Sequence, residues 1–215
     1  MNRILLVMLP GAGFAPDDYQ THGFLDAVDR PGWSVRPVVA PVPEQRALEP
    51  GLATWLHETC IAPAMREPFD QLWLLGISLG GMGALRSLRA NLAPISGLIL
   101  ISPFLGTRGT IAEVTRAGGL ERWTPGPAGP DDIEIGLLTW LKTRPLAAPA
   151  APTIHLACGT ADRFAAASRL LADQIPPAHV HFAEGGHDWP CWTRLWHDLL
   201  DRDPFTPLRH PASMA

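Results

Sequence analysis

Ser78 stands between two glycines in the run Gly76-Ile77-Ser78-Leu79-Gly80. A serine hydroxyl is a weak nucleophile. It needs a base within hydrogen-bond reach, an acid to orient that base, and donors for a developing oxyanion. The residues around Ser78 suit a sharp strand-to-helix turn: an apolar run, Gln71–Ile77, leads in and a helix-like pattern, Leu79–Ala90, follows at once. Such a turn is crowded and strained, which favours flanking glycines, and it leaves the serine at a helix N-terminus where backbone N–H groups face negative charge. With seven serines and 20 glycines in the chain, Gly-x-Ser-x-Gly arises by chance about 0.06 times per sequence of this kind. The five-residue pattern therefore needs the rest of the chain to support it.

A base and an acid both follow Ser78, each just after a strand-like run. Asp162 lies in the loop behind the apolar run of "TIHLACGTADRF", and His187 follows Gly185-Gly186 in "HVHFAEGGHDWPCW". Asp162 also reads as an N-cap for the helix expected after it, a role compatible with orienting a base. Asp188 adjoins His187 and so points away from its ring, while Asp17 and Asp18 read as the start of a helix. Of the other histidines, His155, His179 and His181 lie on or beside strand-like runs, and His22, His57, His197 and His210 lie on helices or in the tail. His187 lacks the nearby His and Glu partners of a metal site. Trp189, Trp192 and Trp196 recur at helical spacing and read first as a core stripe. Trp189, close to His187, and Phe14, beside the first loop, are also candidates to wall a substrate pocket.

These residues need a scaffold, and the pattern supplies one. Short apolar runs of strand length occur at Arg3–Leu9, Ser34–Ala40, Gln71–Ile77, Gly97–Ser102, Thr153–Cys158 and Val180–Ala183. They lack clean alternation, as parallel strands buried on both faces do. Helices are expected between them at Pro16–Val28, Leu48–Met65, Leu79–Ala90, Arg163–Ile175 and Trp189–Leu200. This alternation predicts an α/β protein: a three-layer α/β/α sandwich around a mainly parallel six-stranded sheet. Residues 1–204 read as one domain. Within it, residues 107–151 exceed what one crossover needs and are expected to form a small cap or an excursion over the sheet edge. That segment holds a short element at Ile111–Ala117, the turn-rich "TPGPAGPDD", a helix at Asp131–Lys142 and the linker "PLAAPAAP". Residues 205–215 read as a loose tail.

With these motifs in their order Ser, Asp, His, the chain resembles the α/β-hydrolase superfamily from Arg3 to about Leu200. The resemblance implies a Ser78–His187–Asp162 triad. It also implies an oxyanion hole made by the backbone N–H of Leu79 and one from the loop "LPGAGF", where Ala12 matches the family's donor and Gly13 is the neighbouring alternative. Pro10 stands where the family often has His. Members usually open with two further strands, whereas this chain begins on the oxyanion strand, so the implied sheet is six-stranded and parallel with order 2-1-3-4-5-6.

Composition narrows the rest. The chain has 215 residues, 47% of them hydrophobic and 18% charged, with a net charge of −4. It reads as globular, and nothing in its charge points to nucleic acid. Cys60, Cys158 and Cys191 lack the paired spacings of zinc or redox motifs and read as buried thiols, with Cys191 a potential neighbour of the triad. The opening "MNRILLVMLPGAGFA" has only a six-residue apolar run, short for a signal peptide, and no segment is long enough to span a membrane. A soluble cytoplasmic protein is expected. No metal or organic cofactor is implied. The expected activity is hydrolysis of a small-molecule carboxylic ester through an acyl-enzyme. A thioesterase or acyltransferase would use the same residues, and "LPGAGFAPDDY" looks like the start of stand-alone thioesterases. A non-catalytic binding protein on this fold is the reading from another class.

Overall fold

Six short apolar segments each form a strand in the computed structural model, and all run parallel. The structure describes residues 2–127, 129, 132–144, 146–148 and 151–205. The strands are β1 (Arg3–Leu9), β2 (Ser34–Val39), β3 (Gln71–Ile77), β4 (Ile95–Ile101), β5 (Thr153–Gly159) and β6 (Val180–Ala183). Their spatial order is β2-β1-β3-β4-β5-β6, as the resemblance implies. Strand β4 starts two residues before its expected first residue. Gly97 falls inside the strand because it packs against the Trp73 ring, 2.3 Å from where a Cβ would lie.

Side chains of each central strand alternate between two cores. Leu5, Val7 and Leu9 of β1 pack on one face with Leu72 and Leu74 of β3, while Ile4, Leu6 and Met8 pack on the other with Trp73 and Leu75. Apolar residues on both faces are what removes the polar-apolar alternation from the sequence. Helices cover both sides. Eight are described: α1 (Asp18–Thr21), α2 (Leu52–Leu56), α3 (Ala62–Ala64), α4 (Leu79–Ala90), α5 (Arg108–Arg116), α6 (Ile133–Thr143), α7 (Ala165–Ala172) and α8 (Trp189–Leu200). The first core takes α2, α4, α5, α6 and α7, and the second takes α1 and α8.

Three helices depart from expectation for local reasons. Pro16–Val28 is not one helix: α1 stops at Thr21, Gly23 adopts φ 74°, and a 3-10 turn follows at Asp26–Val28. Leu48–Met65 is broken into α2, a π turn at His57–Ile61, and α3. Pro63 has no N–H to return to the preceding turn and its ring crowds that turn, which the wider π turn accommodates. Helix α7 begins at Ala165 and ends at Ala172, so Asp162 does not cap it; Phe164 occupies the cap position.

Residues 107–151, expected as a cap or edge excursion, send α5 and α6 into the layer that holds α4 and α7. Leu137, Leu138 and Leu141 of α6 are fully buried there. Parts of "TPGPAGPDD" and of "PLAAPAAP", and residues 206–215 of the tail, lie outside the described residues. Among the described residues no helix is long and apolar enough to cross a membrane.

Candidate active site

The carboxyl ends of β3, β5 and β6 meet at one edge of the sheet, and each delivers one polar residue. Ser78 is the turn between β3 and α4. Its backbone has φ 54° and ψ −119°, a strained conformation for a residue with a Cβ. Three hydrogen bonds hold that shape. Ser78 N–H donates to Ile101 C=O at 3.1 Å, and Ser78 C=O accepts from Gly81 N–H at 3.0 Å and Phe104 N–H at 2.9 Å.

The flanking glycines are required by close approach. A Cβ on Gly76 would lie 2.3 Å from the Gly80 carbonyl oxygen, and one on Gly80 would lie 2.1 Å from the Leu9 carbonyl oxygen. Gly81 likewise leaves room for Pro103. Glycines at three of the first five positions of α4 weaken the helix intrinsically. They let it start directly against the strand that feeds it and against the chain leaving β1 at Leu9–Pro10. The first loop, Gly11–Ala12–Gly13, follows directly on that contact, where a Cβ on Gly80 would also lie 2.8 Å from the Pro10 carbonyl oxygen. The amides of Ala12 and Gly13 donate to no group among the described residues.

His187 lies in the loop between β6 and α8. Its Nε2 is 3.0 Å from Ser78 Oγ, and its Nδ1 is 2.8 Å and 3.0 Å from the two carboxylate oxygens of Asp162. The ring is clamped edge-on by Phe164 at 4.7 Å and Trp192 at 4.8 Å between ring centroids. Asp162 is buried, and burial opposes its ionisation. Hydrogen bonds from His187 and from Phe164 N–H at 2.7 Å, with the nearby Ser102 hydroxyl and the imidazole charge, outweigh that cost and hold its pKa below the ordinary carboxylate value. Ser78, His187 and Asp162 thus form one hydrogen-bonded chain. Asp188 instead caps α8, its Oδ1 accepting from Cys191 N–H at 3.0 Å.

Ser102 and Phe164 were not singled out in the sequence, and Trp192 was read there only as part of a core stripe. Ser102 sits at the end of β4 with φ 49° and is completely buried; a polar residue closing an apolar strand at the same edge was the available signal. Phe164 and Trp192 carry no motif, and only the folded chain places them on either side of the imidazole. Phe14 and Trp189 pack together with centroids 4.5 Å apart, and Trp189 stacks on His22 at 4.1 Å, so the two candidate wall residues share one half-buried aromatic patch. Trp192 and Trp196 lie in the core. Cys191 is buried with its Sγ against Gly159 and Gly185, and burial raises its pKa, as it raises that of Cys158, to about 11 in the latter case. Neither sulfur is a poised nucleophile. Among the described residues no group of three or more His, Cys, Asp or Glu side chains could hold a metal ion.

Comparison with known structures defines the fold. No protein-family model matches this chain, and no curated protein matches at the significance required. Solved structures do match. A ferulic acid esterase aligns with a TM-score of 0.60 at 16% identity, over 95% of this chain and 84% of its own. FphF, a fluorophosphonate-binding serine hydrolase of Staphylococcus aureus, aligns at 0.64 and 12% identity over 95% and 84%. A monoacylglycerol lipase of Paleococcus ferrophilus aligns at 0.53 and 18% over 93% of each chain. The chain has the α/β-hydrolase fold.

Proposed function

We propose that this protein is a serine hydrolase that cleaves a carboxylic ester, with Ser78 as nucleophile, His187 as general base and acid, and Asp162 as the residue that orients His187. The observation that carries the reading is the unbroken Ser78 Oγ···His187 Nε2 and His187 Nδ1···Asp162 contacts, at 3.0 Å and 2.8 Å, on a strained strand-to-helix turn. The ester, lipase and serine-hydrolase names of the fold's neighbours agree with it.

In this mechanism His187 Nε2 takes the Ser78 hydroxyl proton as Oγ bonds to the ester carbonyl carbon. The carbonyl π electrons move to oxygen, where the Leu79 N–H and the Ala12 or Gly13 N–H receive the negative charge. The oxyanion then collapses, the bond from carbonyl carbon to the alcohol oxygen breaks, and His187 returns the proton to that oxygen. A water molecule, deprotonated by His187, attacks the acyl-enzyme in the same way and releases the acid and free Ser78. Asp162 keeps the Nδ1 proton in place and stabilises the imidazolium formed in each half. Phe14 and Trp189 provide an apolar wall beside the loop that holds the oxyanion.

Hydrolysis of p-nitrophenyl acetate tests the reading. Turnover is expected from the native protein and is expected to drop by at least about a thousandfold in Ser78→Ala. Equal turnover in the folded variant would remove Ser78 from the chemistry. Tight binding of a partner, unchanged in that variant and without turnover, would favour a binding protein built on a hydrolase fold.

A further inference from the structure

Beside the triad, on the side of Phe164, lies a cavity of about 600 Å³. Its lining comes from two helices. One face of α5 supplies Arg108, Ile111, Ala112, Thr115 and Arg116, which share the spacing of a single helical stripe. The start of α7 and the residues just before it supply Arg163, Phe164, Ala166 and Ala167. Small side chains at 112, 166 and 167 keep the two helices from filling the space between them. Phe104 and Phe164 form the end nearest the triad, in edge contact at 5.4 Å. Phe104 N–H bonds the Ser78 carbonyl, and the Phe164 ring lies against His187. The cavity therefore adjoins the nucleophile's turn and the base through these two residues.

Its electrical character is one-sided. Arg108, Arg116 and Arg163 are exposed, and none forms an ion pair among the described residues. The Arg163 guanidinium rests 5.0 Å above the Phe164 ring centroid. No carboxylate lines the cavity. The acids nearest it each have partners of their own: Asp162, just before Arg163, accepts from His187 and Phe164 N–H, Glu134 of α6 accepts from Thr107 N–H and Thr110 Oγ1, and Glu113 of α5 accepts from Trp123 Nε1. A second cavity, of about 370 Å³ at the amino end of β1 and β2, provides the contrast. The arginines lining it are neutralised, Arg3 by Asp70 and Arg36 by Glu67. Three unpaired cations over an apolar cleft, in a chain whose net charge is −4, call for an anionic and partly apolar guest.

We infer that this cavity receives one half of the ester, acyl or alcohol, as an apolar group that carries a negative charge. The inference rests on Ser78 being the nucleophile, and it adds the substrate class. Apolar carbons lie along Ile111, Ala112, Ala167 and the two phenylalanines, and the anion meets the guanidinium groups, which suit carboxylate or phosphate geometry.

Two matched pairs of esters test it. Mono-p-nitrophenyl glutarate against p-nitrophenyl pentanoate places the charge on the acyl half. 4-Carboxyphenyl pentanoate against its methyl ester places it on the alcohol half. The native protein is expected to favour the anionic member of at least one pair by about tenfold in kcat/KM, and the favoured pair identifies the half that enters. Exposed ion pairs are individually weak, so each arginine replaced by alanine is expected to lower that ratio by about threefold. R108E/R116E is expected to bring it below one and R108K/R116K to retain most of it. As a readout free of turnover, octanoate and octanamide are titrated into Ser78→Ala protein; tighter binding of octanoate is expected, and loss of that difference in R108E/R116E. Equal treatment of charged and neutral members, or a preference indifferent to all three arginines, would overturn the inference alone. Ester turnover that survives Ser78→Ala would instead overturn the nucleophile assignment, and an octanoate preference lost in R108E/R116E would still place an anion in the cavity.

Discussion

Strand β5 carries a buried ionisable group toward each end, and the two are treated in opposite ways. Near its start His155 lies among the Trp73 and His179 rings, with the Pro204 carbonyl 3.1 Å from its Nε2. Burial, reinforced by His179, pushes its pKa down to about 4. Just past its end Asp162 is also buried, yet hydrogen bonds from His187 and Phe164 N–H, with the Ser102 hydroxyl nearby, favour its charged form. Burial therefore does not mark a functional group; what marks it is whether partners stabilise the charged form. His155 is a core residue that tolerates neutrality. Asp162 is held as an anion at a cost that the packing of β5 alone would not repay, and it is in direct contact with the one histidine that also reaches a strained serine.

The largest break in that contrast comes from Asp162→Asn. The variant keeps an oxygen for Phe164 N–H but offers an amide N–H where His187 Nδ1 requires an acceptor, which favours the wrong imidazole tautomer. We expect kcat for a p-nitrophenyl ester to fall by about 10³- to 10⁴-fold with the protein still folded. His155→Gln at the other end is expected to leave kcat within about twofold, because nothing connects it to Ser78.

Next is the backbone that carries the serine. Gly80→Ala would set a methyl carbon 2.1 Å from the Leu9 carbonyl oxygen, and backbone on both sides must yield. A loss of about 3 kcal/mol in urea unfolding is expected, together with loss of turnover. Gly51→Ala, at a position with open space around it, is expected to change stability by less than about 0.5 kcal/mol.

The smallest effect sharpens the amino-end half of the comparison. The unfolded chain protonates His155 below about pH 6.5, but the folded protein resists until pH is near its folded value of about 4. The unfolded state binds more protons throughout that window, so stability falls as pH falls across it, by about 2–3 kcal/mol from this residue. Urea midpoints measured between these limits should show the decline, and His155→Gln should flatten it. An unchanged slope would mean that His155 titrates normally.

The same contrast explains what the sequence could reveal. The sheet was legible because parallel strands buried on both faces are short continuous apolar runs, and the three loops of the site each follow one of them. Ser78, Asp162 and His187 could be named because each stands in a loop just after a strand-like run, in the order that the family resemblance implies, and the parallel sheet puts those loops at the same end. Helix continuity was not legible at Gly23, where a left-handed residue ends α1, or at Pro63, where a π turn absorbs a missing N–H. The partners of the site were also hidden. Ser102, Phe104 and Phe164 are ordinary residues in sequence, and Trp192 reads there only as one of a core stripe; their roles arise from contacts between the ends of β4 and β5 and the start of α8. The α5–α7 cavity was hidden for the same reason: its walls lie some fifty residues apart, and the alanines that keep it open look like ordinary helix formers.

The central claim is that Ser78 is activated through His187 and Asp162, and covalent labelling tests it most directly. Native protein is incubated with a fluorophosphonate, its intact mass is measured, and any adduct is mapped by peptide. The account predicts one adduct, on Ser78, absent in Ser78→Ala and strongly slowed in His187→Ala. Folded native protein with no adduct, or with an adduct on another residue, would contradict it.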